Sequence, residues 1–257
     1  MDGKQARKTG NASSLGLLFD HGLDCITTPI IALNVLHILR GTMPMYAILI
    51  ILITLNFHMA TYEQYVSHSL DLDIINPVNE GVTAVFIIAF VFGFIGNEKA
   101  DYMSFLPGIT WKYLFYYILL MSIVGNVAKS LWLYHKHGKF LAFFADSALF
   151  FFMNTGFILL YMLSDLEVVV NQPKYVVLAW ALIQSKLTIE MMIAHVMDFK
   201  VKRLPIYIAI LSVVPYVVLI MEKLSVGTWL NTVLKVYLAV SFICKLIRLR
   251  LLYLFHS

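Results

Sequence analysis

Apolar residues in this chain come in long unbroken runs, and polar residues collect between them. A run of roughly 17–25 apolar residues is long enough to cross hydrocarbon as a helix. Eight such spans are predicted, at about 21–39, 44–61, 81–96, 113–132, 140–163, 175–196, 205–221 and 229–247. None alternates apolar and polar residues over ten-residue segments, as a lipid-facing barrel strand would. The run 81–96 is the shortest and is predicted to extend back into "NPVNEG". The fold class is therefore predicted as all-α, a polytopic transmembrane helical bundle of about eight spans. Residues 1–257 are read as one membrane-embedded domain, with no internal repeat and no linker of soluble-domain length. A polar N-terminus and a late first apolar run predict no cleavable signal peptide.

Composition sharpens this. Of the 257 residues, 60% are hydrophobic and 13% charged, and the mean hydropathy is +0.81. A soluble domain holds about 45–50% apolar and about 25% charged residues. The net charge of +4 is small and spread over loops, which suits a membrane surface and argues against nucleic acid as a partner. Cys25 and Cys244 both lie in apolar runs, so neither a disulfide framework nor a zinc site is expected. With an N-terminus in the cytosol and alternating spans, the cytosolic side holds Lys4, Arg7, Lys8, Lys136, Lys139, Lys200, Lys202, Arg203, Lys245, Arg248 and Arg250. The opposite side holds Arg40, Lys99, Lys112, Lys174 and Lys223. Basic residues favour the cytosolic side, so the N-terminal motif is predicted to face the cytosol.

That motif is the main candidate for chemistry. Gly16, Asp20 and Asp24 are spaced i, i+4, i+8 and fall on one helix face. Asp2 and Ala6, and likewise Gly3 and Arg7, are one turn apart in a preceding segment. Between the two halves, "TGNASS" is turn chemistry, with Gly10 and Asn11 as breakers and Ser13 or Ser14 as a cap for the second helix. Carboxylates at the end of a span are costly without cations, and oxygen-rich clusters suit Mg²⁺ or Mn²⁺ rather than zinc. Such metals commonly hold substrate phosphates; Arg7 is placed to pair with one, and Gly3, Ala6 and Gly16 would let a ligand approach the backbone. The plainer reading is that Asp20 and Asp24 favour a helix N-terminus through its dipole.

The set Asp2-Gly3, Ala6-Arg7, Gly16, Asp20, Asp24 resembles the CDP-alcohol phosphotransferase family, whose pattern is D-x2-D-G-x2-A-R-x8-G-x3-D-x3-D. "DGKQAR" and "LFDHG" are similar to the eukaryotic choline- and ethanolamine-phosphotransferase branch. The likeness continues through "TYEQYVSHSL" (61–70), "NPVNEG" (76–81) and, more weakly, Lys186 to His195. The resemblance implies transfer of phosphocholine or phosphoethanolamine from CDP-choline or CDP-ethanolamine to diacylglycerol, giving phospholipid and CMP. It implies a two-metal site of Mg²⁺ or Mn²⁺ held by Asp2, Asp20 and Asp24, with Asp24 as general base. Gly3, Ala6, Arg7 and Gly16 would contact the CDP-alcohol. It also implies an endoplasmic reticulum or Golgi membrane, and a homodimer. The family's first Asp would lie three residues ahead of Asp2, before Met1, and the branch commonly has about ten spans. An N-terminally incomplete chain is the expectation that joins both departures, and the alternative is a catalytically inactive membrane protein of the family fold. Leu17 also departs, since the branch commonly has Glu there.

Other polar residues complete the candidate list. Glu80 and His68, in the connection after the second span, are read as lining the site or relaying protons, with a helix cap and solvated loop as the plainer reading. His58 and Glu63 flank the same connection. Lys186 and Glu190 are one turn apart within a span and are expected to pair. Lys186 or His195 would otherwise reach a phosphate or headgroup. Asn126 with Lys129, and Asp146 with Asn154, are expected to bond between helices. Asn11 begins a glycosylation sequon that cytosolic placement leaves unused. The basic C-terminal "KLIRLRLLYLFHS" is read as an interfacial anchor.

Overall fold

Hydrocarbon offers a backbone no water to bond, so an apolar run must satisfy its N–H and C=O groups internally, and the helix does so locally. The computed structural model describes residues 8–10, 13–38, 42–67, 87, 90–96, 104–106, 109–197, 206–224, 229–230, 232–234 and 236–237. Its helices are α1 (Ser14–Ile38), α2 (Met43–Ser67), α3 (Trp111–Lys136), α4 (Phe140–Asp146), α5 (Ala148–Leu163), α6 (Glu167–Asn171), α7 (Pro173–Val196) and α8 (Ile206–Lys223). Among the described residues, Gly16–Val35, Met45–Val66, Tyr113–Lys136 and Tyr175–Val196 are long and apolar enough to cross a membrane. The helical, polytopic class is as predicted. Half of the predicted run 81–96 and most of 229–247 lie outside the described residues, and residues 90–95 are helical.

One predicted span is corrected in shape, and one connection gains a feature that was not predicted. The run 140–163 is not one straight helix: α4 and α5 meet at an angle of 60°, so the pair counts as a fifth crossing only if taken as one broken span. The break falls at Asp146-Ser147, the polar pair within "FLAFFADSALFFF", and Ser147 takes the N-cap position of α5 without a cap hydrogen bond from its side chain. The connection before α3 is not all loop. Ser104–Leu106 (β1) and Ile109–Thr110 (β2) form a small antiparallel pair, with Ser104 opposite Thr110.

The chain divides into two compact units, Thr27–Leu141 and Met1–Ile26 with Ala142–Ser257. In the first, α2 packs on α3. The Tyr134 hydroxyl donates to the Met59 carbonyl, and the Tyr62 and Tyr134 rings meet edge to face at 5.5 Å. His58, Thr61 and Gln64 are buried on α2 beside Met59 and Tyr62. A smaller cluster joins Val35 and Phe92 with Phe115 and Leu119.

In the second unit, α5 and α8 run side by side. The Tyr216 hydroxyl donates to the Phe152 carbonyl at 2.6 Å, and the Phe152 and Tyr216 rings stack at 4.7 Å. A Cβ at Gly156 would lie 2.5 Å from Tyr216 Cε2, so only glycine admits this ring. At the ends of both helices, Glu222 accepts from the Ser164 hydroxyl and the Asp165 N–H, each at 2.6 Å. Contacts therefore advance along both helices together, and α5 and α8 are parallel. Alternating spans predict that, because 140–163 and 205–221 would cross in the same direction.

Polar residues within the spans mostly bond to their own helix. Asn126 Nδ2 donates to the Ser122 carbonyl at 2.8 Å and Asn154 Nδ2 to the Phe150 carbonyl at 2.7 Å. This replaces the interhelical bonds expected of these two residues. A carbonyl one turn back is always within reach, whereas a partner helix must be in register.

Candidate functional site

The candidate site is built on α1, from its start. Gly10 has φ +71°, a left-handed turn that stops the helical residues before it and suits glycine. Ser13 then caps α1: the Gly16 N–H donates to Ser13 Oγ at 3.0 Å, while Leu17 N–H reaches the Ser13 carbonyl at 3.1 Å. The cap is the one predicted from "TGNASS", with Ser13 rather than Ser14 as its residue. Gly16 has a structural reason of its own, since a Cβ there would meet Ser13 Oγ at 3.2 Å.

From this capped start the stripe follows helical geometry. Asp20 is exposed and Asp24 half-buried on the same face as exposed Gly16. Gly22 lies roughly opposite, about 160° round the helix axis from Asp20, and there a Cβ would contact Ile189 of α7 at 3.9 Å. Cys25, buried, belongs to this inner side. Ile189 of α7 thus approaches α1 at Gly22, on the side of the helix opposite Asp20.

On α7, Lys186 Nζ and Glu190 Oε1 lie 3.9 Å apart, with side chains 20% and 19% exposed. The expected ion pair is present, beside Ile189. The structure therefore gives Lys186 a carboxylate partner on its own helix. His195, half-buried, lies six residues beyond Ile189, near the end of α7. Gly16, Asp20 and Asp24 are brought together on one face; Lys186 and His195 belong to the helix behind it.

Asp2, Gly3, Ala6, Arg7, His68 and Glu80 lie outside the described residues, as does Cys244. Among the described residues, no group of three or more His, Cys, Asp or Glu side chains is close enough to hold a metal ion. Asp20 and Asp24 nonetheless fit a hard dication in donor chemistry: two carboxylates one helical turn apart, one exposed, with no thiol on that face.

Sequence reasoning missed Glu222, whose carboxylate ties the end of α5 to α8. Its partners lie 57 and 58 residues away in the chain, so no local spacing marks it.

Comparison with known proteins places this geometry in context. Residues 1–124 match the CDP-alcohol phosphatidyltransferase family. The chain is 30% identical over 213 residues to Cholinephosphotransferase 1 of Xenopus laevis, covering 76% of this chain and 51% of that protein. It is 27% identical over 218 residues to Choline/ethanolaminephosphotransferase 1 of Arabidopsis thaliana, covering 77% and 55% respectively. A shorter stretch of 84 residues is 39% identical to the CDP-diacylglycerol–serine O-phosphatidyltransferase of Encephalitozoon cuniculi, covering 32% and 22%. The chain thus spans about half the length of the first two relatives.

Proposed function

We propose that this chain, which carries a CDP-alcohol phosphatidyltransferase domain over residues 1–124, transfers phosphocholine or phosphoethanolamine from a CDP-alcohol to diacylglycerol. The observation that carries this reading is the pair Asp20 and Asp24. They lie one turn apart on one face of α1, with Asp20 exposed, near the capped start of a span. The names of the relatives favour choline or ethanolamine as headgroup.

Each residue has a task in that reaction. Asp20 and Asp24, with Asp2, would hold Mg²⁺ or Mn²⁺, which supplies neutralisation of the charge on the pyrophosphate. Asp24 accepts the proton of the diacylglycerol hydroxyl as that oxygen bonds to the β-phosphorus and the bond to the α-phosphate oxygen breaks, releasing CMP. Gly3, Ala6, Arg7 and Gly16 would contact the CDP-alcohol. His68 and Glu80 would serve headgroup or proton contacts, and Lys186 or His195 would reach a phosphate or headgroup. A span end suits the chemistry, because diacylglycerol arrives within the bilayer and a CDP-alcohol from water. The reading includes a cytosolic motif, an endoplasmic reticulum or Golgi membrane, and a homodimer.

The test is headgroup transfer by the 257-residue chain in membranes lacking the endogenous activity. Radiolabelled CDP-choline and CDP-ethanolamine are supplied in turn with Mg²⁺ or Mn²⁺, beside an Asp24→Asn control. Labelled phospholipid from the unaltered chain and none from the control is the expected result. No transfer while labelled CDP-alcohol still binds would move the conclusion to a non-catalytic protein of the same fold. No transfer and no binding would overturn the reading.

A further inference from the structure

The connection between α3 and α4 is a rigid, cationic turn at the end of a membrane-crossing helix. Its rigidity comes from backbone bonding. The Gly138 N–H donates to the His135 carbonyl at 3.0 Å and the Lys139 N–H to the Tyr134 carbonyl at 2.8 Å. Gly138 has φ +66°, and together these form the paired closure that ends many helices at a left-handed glycine. The His135 and Phe140 rings meet edge to face at 6.2 Å and brace the turn from the side.

All five residues from His135 to Lys139 are exposed. Lys136 Nζ is held 5.2 Å from the centre of the Trp132 ring, one turn back. No acidic residue occurs between Asp101 and Asp146, so no carboxylate lies within six residues of Lys136 or Lys139 in the chain. Among the described residues neither lysine has an ion-pair partner. Large apolar side chains flank the charges on both sides: Trp132 is 59% exposed and Leu141 81% exposed. A charged turn between two exposed apolar groups fits the boundary between headgroups and acyl chains, where tryptophan concentrates.

We propose that Lys136 and Lys139, fixed by the Gly138 turn and flanked by Trp132 and Leu141, form a docking site for anionic phospholipid headgroups. The occupant is the lipid surface, because the charges continue directly from a helix that crosses it, and because the apolar flanks would have no partner in a small soluble anion. The phosphate and carboxylate of a lipid such as phosphatidylserine supply the acceptors. Each lysine near an anionic surface is worth about fivefold in partition, and the effect falls off within a Debye length of about 8 Å at physiological salt. The inference is independent of the proposed transfer reaction.

The test places the full chain in nanodiscs containing brominated phosphatidylserine or brominated phosphatidylcholine at matched mole fractions. The fluorescence lost in Trp132→Phe isolates the signal of that ring. Brominated phosphatidylserine should quench it at a several-fold lower mole fraction than brominated phosphatidylcholine. The preference should vanish in Lys136→Gln/Lys139→Gln, survive in Lys136→Arg/Lys139→Arg, and fade in 0.5 M salt, where screening is about 4 Å. Equal quenching by both lipids would overturn the proposal. So would competition by millimolar inorganic phosphate, which would make this a small-anion site.

Discussion

On α8, both carboxylate oxygens of Glu222 are occupied by the protein, one by the Ser164 hydroxyl and one by the Asp165 N–H. On α1, Asp20 is exposed, on the side of the helix opposite Gly22 and its neighbour Ile189. Both groups sit at the end of a long apolar helix, where an acid is expensive. At Glu222 the cost is offset by hydrogen bonds that close a helix-to-helix contact. At Asp20 and Asp24 the proposed offset is a ligand. The contrast is between a carboxylate that bridges two helices through hydrogen bonds and a stripe that is proposed to bind a ligand.

Five single substitutions and one double variant sharpen the contrast, beginning with the largest expected effect. Asp24→Asn keeps size and polarity but removes the base and an anionic ligand. It should lower headgroup transfer by about 10²–10⁴-fold, while circular dichroism and the unfolding midpoint in detergent stay near those of the parent. A midpoint that fell together with activity would make Asp24 structural, like Glu222. Gly156→Ala places a Cβ 2.5 Å from Tyr216 Cε2; the ring must move, at a cost of about 1–3 kcal/mol. Reversible unfolding in mixed micelles should show that loss, with specific activity of the folded fraction retained.

Glu222→Ala leaves the buried Ser164 hydroxyl and the Asp165 N–H without this acceptor, and the same unfolding assay should show about 1–2 kcal/mol. The nearby Lys223–Asp165 pair, at 3.4 Å, is exposed on both sides, so Lys223→Gln should change stability little. Lys186→Met leaves Glu190 without its partner in an apolar span. Adding Glu190→Leu should restore most of the loss, a coupling of about 0.5–1 kcal/mol. Loss of activity in the double variant with stability intact would instead give Lys186 a substrate role.

What was legible in the sequence is what local spacing encodes. The cap at Ser13, the left-handed Gly10, the stripe Gly16-Asp20-Asp24 and the Lys186–Glu190 pair each lie within a few residues, and each is present. The apolar runs were legible for the same reason. The 60° break at Asp146-Ser147 was hidden because hydropathy averages over a single polar pair. The Gly156–Tyr216 approach and the Glu222 bonds were hidden because they join residues about 60 apart, fixed by the register of α5 on α8. Asn126 and Asn154 were assigned across helices when each had a nearer acceptor on its own.

The central claim is that the Asp20 and Asp24 face of α1 takes a divalent cation together with a CDP-alcohol. Manganese electron paramagnetic resonance on the full chain in nanodiscs, with CDP-choline or CDP-ethanolamine present, tests it without turnover. The account predicts bound Mn²⁺ in the unaltered chain and only free Mn²⁺ with Asp20→Asn/Asp24→Asn, at unchanged helical content. Equal Mn²⁺ binding by both proteins, or by neither, would contradict it.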